Sequence, residues 1–386
     1  MPPQEEPSTR RARLVRAVLI ALFFLAVAIL AGVHFLLPAF SSKGLPGKFM
    51  NAVAVPGPRG SHRLWVLSDG SFHYISRRES PGRISVARKC KFCKTWTSVY
   101  DPGQKTVLVK FKTDYKTIII HSWMAYAGGK VWIATDAYEE NEPRIFVYRT
   151  EAPGLIQETA DIITAHPELT SGLIKLRMER DPARLVLDTR DGRVGLVLVL
   201  GEEKVYESES ERRKATAAAD EEQTTIFALG REGSGPRRIL FQVTGPRGRL
   251  KESSLELELN SPQTLLASSR ATAERVAPDR FFIEGLIVSQ DAEGCLILHQ
   301  DAAGRTANRL LTCFDAGGSE KWTAGPAELF KEMNVDLDQD PLSAIFFLKD
   351  NLDVSRSGSL VLLQLKGVGL IGFDFETGRK LWEIRL

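Results

Sequence analysis

The chain has 386 residues, 43% of them hydrophobic and 26% charged, with a formal net charge of +3. Those proportions are those of a folded globular protein and exclude an intrinsically disordered chain. Charges of both signs are interspersed, so composition gives no sign of nucleic-acid binding.

Residues 1–16 form a basic tail with Arg10, Arg11, Arg13 and Arg16. Residues 17–40, AVLIALFFLAVAILAGVHFLLPAF, hold no Asp, Glu, Lys or Arg. At 1.5 Å per residue such a run crosses a hydrocarbon core of about 30 Å as one helix. A transmembrane helix over 17–40 is therefore expected, with the lipid bilayer as its partner. Only Lys43 and Lys48 follow it closely, and that asymmetry predicts a cytoplasmic tail and an exported domain. A cleaved signal peptide is the competing reading, with Ala39, Ser41 and Ser42 near its end, although such signals carry a shorter apolar region. SSKGLPG (41–47) reads as a stalk, and 48–386 as the exported domain. No Asn starts a glycosylation sequon, which favours a bacterial inner-membrane protein facing the periplasm, where four cysteines are free to oxidise.

From 51 to 150 the chain runs in short stretches rich in Val, Ile and aromatics: NAVAV, RLWVL, SFHYIS, KTVLVKF, KTIIIH, KVWIAT and RIFVYR. Ser-Asp-Gly, Asp101-Pro-Gly and Gly128-Gly129 separate them, which is the punctuation of strands and hairpins. A helix is expected at 154–166, ended by Pro167. A three-strand meander follows at 172–200. Residues 201–222 are charged and poor in large apolar side chains, so solvated surface is expected there. Strands resume at 224–229, 237–243 and 253–260, and 265–278 is ambiguous between helix and loop.

The clearest pattern comes last. FFIEGLIVSQ, CLILHQD, NRLLTCFD and EKW follow one another over 281–322, then a helix expected at 325–333, then AIFFLKD, SLVLLQL, GVGLIGFD and KLWEIRL. Many short strands at regular spacing predict an all-β sandwich, barrel or propeller. Two corners sharpen this. Asp315, Gly318 and Trp322 recur as Asp374, Thr377, Gly378 and Trp382, each time as apolar strand, Asp, turn, Gly, three residues, Trp. The second corner resembles the repeat of quinoprotein-like β-propellers. That resemblance implies an all-β, degenerate propeller of antiparallel blades with a few inserted helices. It also implies that Asp and Thr brace the turn, that Gly takes a positive φ, and that each Trp is buried between blades. Asp101-Pro-Gly-Gln and Arg190-Asp-Gly have the turn without a Trp at the matching place.

Cys90-Lys-Phe-Cys93 has the spacing of a thiol–disulfide pair or half a zinc site. With no second such motif, a structural disulfide closing a loop is expected. Cys295 and Cys313 lie on strands that should form a hairpin, in which Gln300 faces Asn308 or Arg309. In the first register the two cysteines stand opposite one another, and a disulfide is expected. Asp336, Asp338 and Asp340 alternate like the start of a calcium loop, but Pro341 and Phe347 break that pattern. The six histidines show no spacing suited to a metal, and no nucleophile elbow or phosphate loop is present. No catalytic residue, metal site or cofactor is therefore expected. Sequence favours a membrane-anchored, non-catalytic binding or scaffold module with a protein partner in the envelope and no nucleic acid. The alternatives are a quinone-cofactor dehydrogenase and a thiol-redox protein.

Overall fold

The computed structural model describes residue 25 and residues 44–80, 83–116, 119–137, 143–180, 183–215, 222–231, 235–246, 250, 271–303, 307–334 and 351–385. Leu25 apart, the predicted transmembrane segment lies outside them, as do the basic tail, the strands expected at 253–260 and 344–350, and the acidic run 336–340. Among the described residues no helix is long and apolar enough to cross a membrane.

Every ladder is antiparallel, and most sheets are contiguous stretches of chain. The first contains β1 (Lys48–Pro56), β2 (His62–Asp69), β3 (Phe72–Ser80), β4 (Arg83–Asp101) and β5 (Thr106–Tyr115). The second is β6 (Ile119–Ala127), β7 (Lys130–Ala137), β8 (Arg144–Arg149) and β9 (Gly154–Glu158). Helix α1 (Thr159–Ala165) leads to the third, β10 (Leu173–Arg180), β11 (Ala183–Thr189), β12 (Leu196–Val199) and β13 (Lys204–Tyr206). After α2 (Glu209–Ala215) come β14 (Gln223–Arg231), β15 (Arg237–Pro246) and β16 (Thr272–Arg275). A two-rung link, Arg237 to Ile283 and Arg238 to Phe282, joins these to β17 (Phe282–Asp291), β18 (Gly294–Gln300), β19 (Arg309–Asp315) and β20 (Glu320–Ala324). The last sheet is β21 (Leu352–Ser357), β22 (Leu360–Leu365), β23 (Gly369–Asp374) and β24 (Lys380–Arg385). The described chain is thus an all-β, propeller-like stack of six blade-sized units.

Face-to-face stacking explains the composition of the strands. Strands β18 and β22 are buried along their whole length, because neighbouring blades cover both faces, and they read as largely apolar runs. The last strand, β24, alternates half-buried and exposed residues.

Apolar clusters fill the spaces between blades. Trp65 and Val99 meet Ile133 and Tyr148 between the first and second blades. Trp132 and Ile145 meet Leu185 and Leu198 between the second and third. Phe227 and Leu240 meet Phe282 and Phe314 between the fourth and fifth. Leu298 and Trp322 meet Val361 and Phe373 between the fifth and sixth. Phe49, Leu64 and Tyr100 meet Leu360 and Leu370, so the last blade packs on the first. On the remaining side of the third blade, Val197, Val199 and Tyr206 cluster with one another, without a fourth-blade residue among those described.

Two expected helices are corrected. The first half of 154–166 is strand β9, because Gly154–Glu158 completes the second blade against β8. Only Thr159–Ala165 is helical, and a capping box between Glu158 and Asp161 starts it. The segment 325–333 is a turn followed by a short 3-10 stretch, Lys331–Asn334. There Leu329, Phe330 and Met333 plug the core between the fifth and sixth blades, so the apolar spacing reflects plugging rather than a regular helix. In 201–222, the described residues form β13 and α2, and α2 has no buried residue.

Candidate functional site

The predicted corners are built as tight, Asp-braced turns. Asp374 Oδ1 accepts hydrogen bonds from the Thr377 backbone N–H (2.8 Å) and the Thr377 hydroxyl (2.7 Å). The Thr377 hydroxyl bond, followed by the backbone one, holds the Asp374 carboxyl below its usual range. Asp315 Oδ1 accepts from Gly317 and Ser319 N–H, both at 2.9 Å. Gly318 and Gly378 take φ of 79° and 68°, which a Cβ disfavours. Asp101 forms a third such corner, accepting from Gly103 (2.9 Å) and Gln104 (3.0 Å). There Lys105, at φ 53°, takes the place that Gly378 has in the last blade.

Trp322 does lie between blades. It is buried, its indole N–H donates to the Phe375 carbonyl at 2.8 Å, and its ring presses on Gly378. Trp382 is only half-buried, against the expectation. It stands on the edge strand β24, over Gly372, at the margin of the cluster that holds Tyr100 and Val107 of the first blade. Residues flanking the Asp101 corner thus share a cluster with a Trp that lies some 280 positions later in the chain.

The cysteines divide. Cys90 and Cys93 form a disulfide, with Cα atoms 5.7 Å apart. It spans a bulge inside β4, where Phe92 pairs with Phe72 but Cys90 pairs with His73; it does not close a loop as expected. The disulfide expected between Cys295 and Cys313 is absent, and both cysteines are free and buried. Gln300 faces Arg309, so Cys295 pairs with Phe314 and Leu296 with Cys313. A shift of one residue puts the two side chains on opposite faces of the sheet, Cys295 towards the fourth blade and Cys313 towards the sixth.

The disulfide marks the base of a two-stranded arm. Strand β4 pairs with β2 over Thr95–Tyr100 and with β5 over Cys93–Asp101. Its N-terminal part, from Arg83 to Phe92, pairs only with β3 among the described residues. Phe72 and Phe92, the first pair of that ladder, are 51% and 62% exposed. Seven Lys or Arg and one Glu occupy positions 72–94.

A second candidate is a cleft of about 190 Å³ where the sixth, first and second blades converge, lined by Asn51, Ser122, Trp123, Asp353, Gln364 and Lys366. The Asn51 amide donates to the Ser122 carbonyl at 3.2 Å, and Gln364 Nε2 to Asp353 at 2.9 Å. Neutral amides with one carboxylate and one lysine make this a hydrogen-bonding surface rather than an acid–base constellation. His299, unpaired in the sequence, is a buried packing residue: its ring bonds Thr312 Oγ1 (2.9 Å) and the Gln300 carbonyl (3.1 Å), and burial lowers its pKa. Among the described residues no group of three or more His, Cys, Asp or Glu is placed to hold a metal.

Neither protein-family models nor curated proteins give a match to this chain. Solved structures do. The β-propeller domain of the Trilobed protease from Pyrococcus furiosus is 13% identical, with 82% of this chain and 86% of that chain covered, at a TM-score of 0.28. Sqt1 of Saccharomyces cerevisiae is 8% identical, with 88% of each chain covered, at a TM-score of 0.23. The AfRom2 CNH domain is 10% identical over 88% of this chain and 96% of that one, at a TM-score of 0.22. The propeller-like fold is read from the strand ladders themselves.

Proposed function

We propose that the chain is a non-catalytic binding or scaffold module of the bacterial envelope, held to the inner membrane by residues 17–40 and acting on a protein partner through its exported domain. The β3–β4 arm is the observation that carries this reading. A propeller blade is made of four strands, and β1, β2, the C-terminal half of β4 and β5 provide them. The arm adds a two-stranded ribbon that the blade does not use. Such a ribbon is marginal in water by itself, and the Cys90–Cys93 bond fixes the shape of the β4 bulge at its base. Its exposed Phe pair and its excess of basic residues suit an acidic protein face with an apolar centre. The Asp-braced corners with Trp support a quinoprotein-like ancestry for the terminal blades.

The test is photo-crosslinking in intact cells from a reactive residue at position 72 or 92 of the full chain. One discrete protein adduct is expected, lost on the double change Arg77→Glu and Arg78→Glu. Adducts from the central cleft, with none from the arm, would refute it.

A further inference from the structure

Three blades away from the arm, a hollow of about 210 Å³ separates β14 from β17, lined by Phe227, Leu229, Arg238, Gly285, Leu286 and Gln290. It exists because β17 leaves its neighbour. Strands β15 and β17 pair at only two positions, and β17 then bulges at Glu284–Gly285 before pairing with β18 resumes at Leu286. Glu284 takes φ 50°, a left-handed conformation that its Cβ disfavours. A Cβ on Gly285 would lie 2.8 Å from Phe282 Cβ and 3.3 Å from Leu229 Cδ1, so the bulged backbone itself forms a wall. Bulges of this kind re-aim a strand beside functional sites.

Into this setting the fold places an orphaned donor. Arg238 Nη1 is buried and has no hydrogen-bond partner among the described residues. A guanidinium offers five N–H donors and no acceptor, and a buried donor without an acceptor is costly. No acidic residue lines the hollow. Gln290 commits its side-chain carbonyl to the Phe227 N–H at 2.8 Å, which leaves that side chain with donors to offer. The rest of the wall is apolar.

We infer that this hollow binds a carboxylate, with Arg238 Nη1 on a carboxylate oxygen and the Leu, Ile and Phe side chains around a short hydrocarbon body. Its volume is below the roughly 300–1,000 Å³ of drug-sized pockets, so the ligand is a short organic acid or the carboxylate end of a peptide. This goes beyond the docking arm and does not depend on it.

The test uses the full-length chain in non-ionic detergent at constant ionic strength, titrated calorimetrically with isovalerate. Isovaleramide and isoamylamine serve as neutral and cationic controls of matched size, and N-acetyl-leucine stands for a peptide end. Saturable binding of the acids, with none of the amide or amine, is expected. Tighter N-acetyl-leucine identifies a peptide end, and tighter isovalerate a free acid. Arg238→Met should weaken acid binding at least about tenfold while leaving the ligand-free melting temperature unchanged or raised, because it removes an orphaned donor. Equal responses to all three classes, or none, would overturn the inference. So would an Arg238→Met chain that fails to fold, because the guanidinium would then be satisfied by the protein itself.

Discussion

The side-chain amide of Gln364 in β22 takes both backbone groups of Ala52 in β1, accepting from its N–H at 2.8 Å and donating to its carbonyl at 2.9 Å, across 312 positions of sequence. The first and last blades therefore meet through a side chain that imitates one rung of a ladder, with no strand shared between them. Both residues are buried, so without Gln364 the Ala52 carbonyl loses this donor away from water, while its N–H keeps Asn51 Oδ1 at 2.9 Å. Gln364→Leu should cost about 2 kcal/mol. Gln364→Glu should cost more, since it puts a second carboxylate beside Asp353 and removes the donor. Chemical denaturation of the three proteins tests this, and equal stability of wild type and Gln364→Leu would refute the role.

The corners offer a matched pair of backbone tests. Gly378→Ala combines a left-handed residue with a Cβ placed 2.5 Å from Trp322 Cγ, and should destabilise by about 3 kcal/mol. Lys105→Gly, at the equivalent place in the first blade, should stabilise by about 0.5 kcal/mol, since glycine adopts φ 53° without penalty. Opposite signs from two exchanges at one turn position would confirm that the corners share a geometry. Denaturation midpoints report both.

A pH dependence follows from α2. Arg212 first, then Arg213 and Arg184, hold Glu209 at a pKa of about 2, against 4.5 for a free glutamate. A depressed carboxylate stabilises the fold above the unfolded value and loses that contribution as pH falls towards the folded one. Stability should therefore decline between about pH 4.5 and pH 2, and Glu209→Gln should flatten part of that decline. Melting temperatures of the two proteins across this range measure it; superimposable profiles would show that the cluster contributes nothing.

Thiol counting separates the two cysteine pairs. Burial pushes the Cys313 thiol up to about 12 and raises that of Cys295 as well, so neither is a thiolate at neutral pH. An aromatic disulfide reagent should find no reactive thiol in the native protein. It should find two after denaturation and four after reduction as well. Reactive thiols in the native protein, or a count other than two on denaturation without reductant, would contradict this assignment.

Much of the fold was legible because strands covered on both faces are mostly apolar. SLVLLQL and CLILHQD announce that without any repeat. The Asp374–Trp382 corner was equally plain, since one short segment holds the whole turn. What the sequence hid were relations between distant segments. Leu155 and Ile156 share helical spacing with Ile163, yet the vacant edge of β8 draws 154–158 into a strand. The Cys295–Cys313 hairpin was found but misregistered by one residue, because its turn chemistry does not distinguish Asn308 from Arg309 as the partner of Gln300, and one step reverses every side chain. Nothing local marks Gln364 as a seam residue or Arg238 as a buried donor. Both acquire meaning only from a blade formed elsewhere.

The closure between first and last blades has a consequence for biosynthesis. A ribosome releases the first blade well before the sixth. Until β22 emerges, Phe49, Ala54, Leu64 and Tyr100 have none of the sixth-blade residues that later cover them. The nascent chain thus carries a bare apolar flank from the release of the first blade until the sixth emerges. Premature termination anywhere before residue 364 leaves that flank uncovered by β22, which makes truncated products natural clients of chaperones and proteases.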